Sequence, residues 1–384
     1  MLIRILFNRL PLLRDVRFWP IAGQAGLVLL LVGVGTLLGR NLTQNLHQAG
    51  IPIGFDFLSA PASFAIGEYL IPYSPSDSIA QALLVGLANT LRVTIIGIIF
   101  ATLVGFMIGI ARLSANPLLH QAATLYIEIC RNTPLLLQLL FWYFVGFAQL
   151  PHIETQPSAI AGSYITNRGI AIPWFTLTSG SVTWLLLLSL GLLAGIGLRR
   201  FRQGDRPQWW VATIAIAILL AAVLTQTGPL AIDLPRISDT NQLEGGLQFS
   251  PEFTSLLVGL TLFIGSFIAE IVRAGIQSVP QGQWEAAQAL GLKSPIALLT
   301  VIVPQALPAI VPPLTNQYLN LLKGTSLAIA IGYPDLYFVA NTTFNRAGRA
   351  VETMLILIIT YLSTNLSISL LMNAFNRSLQ IHDR

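Results

Sequence analysis

Apolar runs alternate with polar, turn-rich stretches along the whole chain. They fall at roughly residues 21–39, 86–111, 130–149, 182–198, 210–227, 254–276, 305–340 and 352–375. A bilayer core takes about 20 apolar residues of helix. The pattern therefore predicts an all-α membrane protein with about eight transmembrane helices. The first run follows several arginines, as in a signal peptide, but it is too long for such a segment and no A-x-A-like site follows it. It is expected to be a retained helix. The seventh run is unusual, because Pro304, Pro308, Pro312 and Pro313 crowd its start and Lys323-Gly324 interrupts its middle. Proline removes a backbone donor and breaks or kinks a helix. Irregular backbone inside a membrane is tolerated only where protein or a water-filled cavity satisfies it. This run is expected to be broken and to line a pathway, with a kinked packing helix as the alternative.

Composition agrees with the pattern. Of 384 residues, 54% are hydrophobic and 10% charged, against about 25% charged in soluble domains; the mean hydropathy is +0.70. The formal charge of +5 is scattered through loops rather than gathered on one face, so nucleic acid is not an expected partner. The positive-inside rule accounts for it better. Arg4, Arg9, Arg14 and Arg17 precede the first run, and Arg199, Arg200, Arg202 and Arg206 follow the fourth, on the same side. Both termini are then cytoplasmic, and segments 40–85 and 228–252 lie outside, neither long enough for a separate folded domain. Arg168, Arg236, Arg346 and Arg349 fall outside and weaken the bias. The single cysteine, Cys130, excludes an internal disulfide, and His47, His120, His152 and His382 have no metal-ligand spacing. No metal or cofactor is expected.

One segment, 280–304, stands apart. Pro280 ends the sixth run, and residues 282–290, with three alanines and a leucine, favour a short helix. Gly291 suits a left-handed C-terminal cap. Ser294-Pro295 then restarts a helix, serine as N-cap and proline at the first position. Ala286, Ala287 and Ala289 keep the short helix thin, so a partner could approach closely, and Glu285 offers a charge either to that partner's groove or to a loop clamp within this subunit.

Glu285-Ala286-Ala287, Gly291 and Val301-Ile302-Val303-Pro304 stand at the spacing of the EAA loop of bacterial ATP-binding-cassette permeases. The preceding run from Ala269-Glu270-Ile271-Val272-Arg273 to Gln283 resembles permease subunits of polar amino-acid importers, the histidine/glutamine/arginine type. So do Lys323-Gly324-Thr325-Ser326-Leu327, Asn89-Thr90-Leu91 and the stretch from Tyr126 to Gln138. Ala274 stands where the family usually has glycine, and Val301 and Val303 where isoleucine and leucine are usual. The resemblance covers about 80–150 and 254–375. It implies a five-helix type I importer core plus three extra helices in the bacterial inner membrane. Its divisions are 1–79, with the first helix; 80–150, the first part of the core; 151–253, an insert with two extra spans; and 254–384, the second part of the core. It also implies an ATPase dimer docked at Glu285, Ala286, Ala287, Gly291 and Pro304, a second permease subunit (homodimer or heterodimer), a periplasmic amino-acid-binding protein and an amino-acid substrate within surrounding lipid.

The chain itself carries no G-x-x-x-x-G-K-[ST] phosphate loop, and Lys323-Gly324-Thr325 has the wrong order. An ATPase would be another polypeptide. No nucleophile motif supports an enzyme. An intramembrane carboxylate marks function by default, so Glu270 is a candidate contact for a substrate ammonium; the alternative is an ion pair with Arg273, three residues on. Gln138 could bond substrate or a neighbouring helix. Lys323, Thr325 and Ser326 sit at the expected break, either facing the pathway or capping locally. Glu128 and Arg131 are expected to pair at the cytoplasmic edge, before the third span. A secondary amino-acid transporter is the rival reading, but such folds often pair broken helices across repeats, and only one run here is broken.

Overall fold

The computed structural model describes residues 18–48, 50, 54–155, 157, 159–201, 208–225 and 228–379. Arg4, Arg9, Arg14, Arg17, Arg202 and Arg206, on which the charge bias rests, lie outside the described residues, as do 380–384 of the C-terminus. Helices α1 (Phe18–Gln48), α2 (Ile79–Ala111), α3 (Pro117–Asn132) and α4 (Leu135–Phe141), the last continued by a π turn over Trp142–Phe147, precede the insert. The insert holds strands β1 (Tyr164–Thr166), β2 (Gly169–Ile172) and β3 (Trp174–Leu177). Then come helices α5 (Ser181–Phe201) and α6 (Gln208–Thr225) and strands β4 (Leu230–Asp233), β5 (Arg236–Ile237), β6 (Leu243–Glu244) and β7 (Leu247–Phe249). Helices α7 (Pro251–Gln277), α8 (Gln281–Ala289), α9 (Ser294–Ala297), α10 (Val303–Gly324), α11 (Leu336–Ala347) and α12 (Ala350–Leu379) complete the chain.

Among the described residues, five helices are long and apolar enough to cross a membrane: Trp19–Asn45, Ile79–Ala111, Pro251–Gln277, Ser294–Ile331 and Ala350–Leu379. Three shorter apolar helices, Leu135–Phe147, Ser181–Ala194 and Thr213–Thr225, fall where the remaining spans are expected. The chain is a multi-pass, mainly helical membrane protein.

Helix α7 is the axis. Ser250 caps it by accepting from the Phe253 amide at 2.9 Å, with Pro251 in its first turn. Phe253, Leu256, Leu260, Ile264, Ile268, Val272 and Ile276 form one buried stripe along it, at the spacing of a single helix face. Opposite runs a ridge of small residues on α2, Gly97, Ala101, Gly105 and Gly109, four apart. A Cβ at Gly105 would fall 2.5 Å from that of Ile268, and one at Gly109 would fall 2.7 Å from the Ala269 carbonyl oxygen. Small residues let membrane helices approach closely. The other flanks of α7 are filled too: Leu139 of α4 lies over Gly259 and Ile310 of α10 over Gly275.

Three expectations need correction. The third span does not begin at Cys130. Tyr126 donates to the Leu262 carbonyl at 2.8 Å, and Tyr143 donates to Glu252 at 3.0 Å. With Leu119 and Ile276 lining one cavity, α3 and α4 thus flank α7 over its whole length, interrupted at Thr133-Pro134. Glu128 and Arg131 are therefore inside this crossing, not before it. The seventh span starts at Ser294, with Lys293 rather than Ser294 as the cap. It continues through Pro308, Pro312 and Pro313 as helix. It tightens at Thr325–Ile331 into a 3-10 helix and stops at Gly332, whose φ is +77°, rather than running to 340. Finally, the seven short strands had no signal in the hydrophobic pattern, since each spans only two to four residues. They form β1-β2-β7, β3-β4 and β5-β6 sheets outside α5 and α6.

The segment 54–78 is no loose loop. Phe57, Ala62, Phe64 and Ile66 bury themselves with Ile79, Leu83, Leu336 and Val339 in a second core. Glu68 bonds Arg92 at 2.6 Å and also accepts from Ser250. Asn89 donates to the carbonyls of Glu68 and Pro334, at 2.8 and 2.9 Å. Arg346 donates to the Ser63 carbonyl at 2.7 Å, and the Gly54 amide donates to Glu352 at 3.1 Å. The strap thereby ties the ends of α2, α7, α11 and α12 together. Just before α11, Asp335 is fully buried and caps that helix by accepting from Phe338 at 2.8 Å. Burial pushes its carboxyl up to about 7, against the lowering effect of the Phe338 and Tyr337 amides and the Tyr361 hydroxyl.

Gly109→Ala is expected to cost about 1–3 kcal/mol, read as a lower thermal midpoint in detergent, because the blocking atom is backbone; an unchanged midpoint refutes this packing. A carboxyl whose folded value is raised stabilises most below its unfolded value and loses that contribution as pH rises through about 7. The midpoint of Asp335→Asn relative to the natural chain should therefore rise between about pH 5 and about pH 8. A pH-independent difference counts against a buried, neutral-leaning carboxyl.

Candidate functional site

Two groups of residues emerge, one at the exposed α8 and one around the break between α10 and the 3-10 helix. Helix α8 follows Pro280 directly, so only Ser278, Val279 and Pro280 separate it from the end of α7. Trp284 and Ala287 turn inward, Ala287 fully buried, while Glu285, Ala286 and Ala289 face outward. Gly291, at φ +72°, ends the helix: its amide donates to the Gln288 carbonyl at 2.9 Å, and that of Leu292 reaches back to Ala287 at 3.1 Å. Only glycine adopts this conformation without strain. Leu290, immediately before it, is 79% exposed, a large apolar side chain on a thin surface and a feature the sequence reading passed over. Its signal was present, as the lone bulky apolar residue between small ones and a capping glycine. Gln305 donates to Gln283 at 3.1 Å and so draws Pro304 and the start of α10 toward α8. A cavity of about 690 Å³, lined by Leu113, Leu119, Val279, Trp284, Pro295 and Leu298 among others, separates α8 and α9 from the ends of α2 and α7.

At the break, Thr325 is buried and donates to the Leu322 carbonyl at 2.8 Å, while Ser326 donates to the Lys323 carbonyl at 2.8 Å. Their hydroxyls thus serve the local turn. Lys323 is exposed, and none of the ion pairs among the described residues includes it. Gly324 fits against Leu135 and Leu260, which sets Lys323 at the depth of the α3–α4 interruption. Gln138 is buried there, its amide donating to the Cys130 and Thr133 carbonyls at 2.8 and 3.0 Å. It satisfies carbonyls freed by Pro134.

Glu270 is not with this group. It lies ten residues beyond Leu260 on α7, about 15 Å further along the axis. One carboxylate oxygen is bonded to Arg112 at the end of α2, and the other accepts from Arg273 Nε at 3.0 Å. Arg273 also reaches Gln277, and His120 Nδ1 donates to the Arg112 carbonyl at 2.7 Å. The alternative to a substrate contact, an ion pair with Arg273, is present, and the second arginine, from another helix, had no sequence signal. Glu270 therefore ties α2 to α7 about two turns before the end of α7. The expected Glu128–Arg131 pair is absent from the ion pairs among the described residues.

Comparison with known proteins bears on this arrangement. The family described as "Binding-protein-dependent transport system inner membrane component" matches residues 188–381. YhdX of Escherichia coli (strain K12), whose name describes an amino-acid ABC transporter permease, is 42% identical over 378 residues, covering 96% of this chain and 95% of that protein. The general L-amino acid transport system permease protein AapQ of Rhizobium johnstonii is 40% identical, covering 96% and 94%. The glutamate/glutamine/aspartate/asparagine transport system permease protein BztB of Rhodobacter capsulatus is 38% identical, covering 98% and 97%.

The Arg112–Glu270 bond is partly exposed, so a double-mutant cycle of Arg112→Gln and Glu270→Gln should give a coupling of only about 1 kcal/mol. Thermal denaturation of the four proteins measures it, and strictly additive losses would refute the pairing.

Proposed function

This chain belongs to the inner-membrane components of binding-protein-dependent transport systems, and we propose that it is the permease subunit of an ABC importer for L-amino acids. The observation that carries the reading is the continuity between α8 and α7. An exposed, small-faced helix is joined through the short link Ser278-Val279-Pro280 to the most buried helix of the core. Force applied to α8 by an ATPase would reach α7 directly, and through Glu270 and Arg112 the end of α2. The missing phosphate loop makes a separate ATPase subunit necessary. The thin α8 surface, with Glu285, Ala286, Gly291 and the protruding Leu290, is proposed as its contact, and Pro304 as the start of the helix that moves with it.

The names of YhdX, AapQ and BztB supply the substrate class. Lys323, exposed at the end of a membrane helix, is proposed to meet the substrate carboxylate, with Thr325, Ser326 and Gln138 fixing the backbone around it. An unpaired ammonium at that depth is costly unless it faces protein or water. Glu270 is proposed to act as the inner tie between helices rather than as a substrate contact. A second permease subunit would complete the pathway, and a binding protein would deliver substrate on the side of the 54–78 strap. The α8 face and both termini would then be cytoplasmic. In this reading α1, whose apolar window buries nothing within the chain, and the α5–α6 pair are additions to the five-helix core.

Leu290→Asp and Gly291→Val should weaken retention of the ATPase on affinity purification, each by about tenfold, equivalent to ~1.4 kcal/mol. ATP-dependent amino-acid uptake in proteoliposomes should fall with it, while membrane insertion stays normal. Full retention and uptake in both variants would reject α8 as the contact.

A further inference from the structure

Helix α3 has three distinct faces. Ala123, Ile127 and Cys130 are buried against the core. Leu118, Ala122, Leu125 and Ile129 form an exposed apolar stripe on one side. On the other side His120, Thr124, Glu128 and Arg131, flanked by Gln121 and Asn132, form a polar stripe, all exposed except the half-buried Thr124. Residues three and four apart share a helix face, so this separation belongs to the helix and not to chance exposure. The apolar stripe suits lipid. The polar one does not, because ionisable groups within a crossing face the bundle interior or water.

Within that stripe Glu128 and Arg131 are three residues apart, with Cβ atoms about 5–6 Å from each other. They would be expected to pair, but neither occurs in the ion pairs among the described residues. The Arg131 guanidinium instead lies over the ring of Phe267 on α7, 5.1 Å from its centre, which holds it away from Glu128. Leu135 packs at Gly324, so Arg131 lies about one helical turn inward of the Lys323 level. An anion and a cation are thus presented on one helix face, unpaired with each other, along the course proposed for the substrate.

We infer that the polar face of α3 lines the translocation pathway and that Glu128 and Arg131 hold the ammonium and carboxylate groups of the amino-acid zwitterion inward of Lys323. The inference rests on the importer reading given above. The pair matches the part common to all α-amino acids and ignores the side chain, which suits a broad substrate range. No bond is made or broken. The substrate exchanges water for two opposite charges and leaves toward the α8 side.

The test uses the complete transporter, reconstituted with its ATPase and binding protein. Glu128→Gln and Arg131→Gln should each lower uptake tenfold or more, while ATPase activity stimulated by the loaded binding protein stays within twofold. Arg131→Lys, which keeps the charge, should retain an intermediate rate. In a Cys130→Ala background, Thr124→Cys should react with a water-soluble thiol reagent, and saturating substrate should slow the reaction at least threefold. Leu125→Cys should stay unreactive. Unchanged uptake in both neutral variants overturns the inference, as does equal loss of uptake and stimulated ATPase. A disulfide between two Thr124→Cys copies, with no reagent access, assigns the stripe to a subunit interface and also overturns it. Absence of ATP-dependent uptake by the unsubstituted transporter overturns the importer reading itself.

Discussion

The contact between α2 and α7 sets the terms for everything else. Lipid tails are as apolar as leucine, so membrane helices associate through close packing rather than through the hydrophobic effect. Ala101, Gly105 and Gly109 give α2 a groove that Gly265, Ile268 and Val272 of α7 occupy, and Gly97 beyond them receives Leu321 of α10. Once these two helices are locked, the remaining faces of α7 become fixed docking sites. Leu139 and Ile310 settle over its glycines, and the α3–α4 crossing and α10 take their positions from it. A core built this way is stiff along its axis. Polar groups then fasten its two ends: Glu68, Arg92 and Ser250 on the strap side, and Glu270 with its two arginines near α8.

Those ends differ in burial, and the difference fits different tasks. Asp335, Asn89 and Thr90 are fully buried on the strap side, where the bonds made by the Asn89 amide nitrogen, the Thr90 hydroxyl and the Asp335 carboxyl favour a single arrangement. The Glu270 group stays partly exposed, at 27%. Its bonds can be exchanged with water at modest cost. The end attached to the short exposed helix is therefore the more readily rearranged one, and the cavity beside it leaves room for α8 to shift.

Much of this was legible in the sequence. Long apolar runs marked the five helices long enough to cross and the three shorter apolar ones, and the proline and glycine at 280 and 291 marked α8 because those residues have few other uses. What escaped were features that depend on a partner distant in the chain. Nothing near Glu270 announces Arg112, 158 residues away. The polar face of α3 was diluted by leucines on its other side, so a hydropathy window placed the crossing too late and stranded Glu128 and Arg131 outside it. The strap looked like a loop because its apolar residues are single and irregular, and the start of α2 with the distant α11 and α12 supplies the surface that buries them. The prolines of α10 were over-read. Flanking helices support the helix through them, as the buried Ile310, Val311 and Leu314 indicate.

The distance in sequence between α2 and α7 also has a consequence for synthesis. Roughly 140 residues separate Ala111 from Pro251, and at about 5–20 residues per second the ribosome needs on the order of 7–30 s to make them. During that interval the glycine groove of α2 has no occupant. The α5–α6 pair, which packs chiefly on itself, emerges within the gap and does not fill it. A nascent chain of this kind must therefore be shielded in the membrane until its own axis arrives, and substitutions that slow or misroute the insert would deplete the protein by exposing α2 to quality control rather than by damaging any contact in the finished molecule.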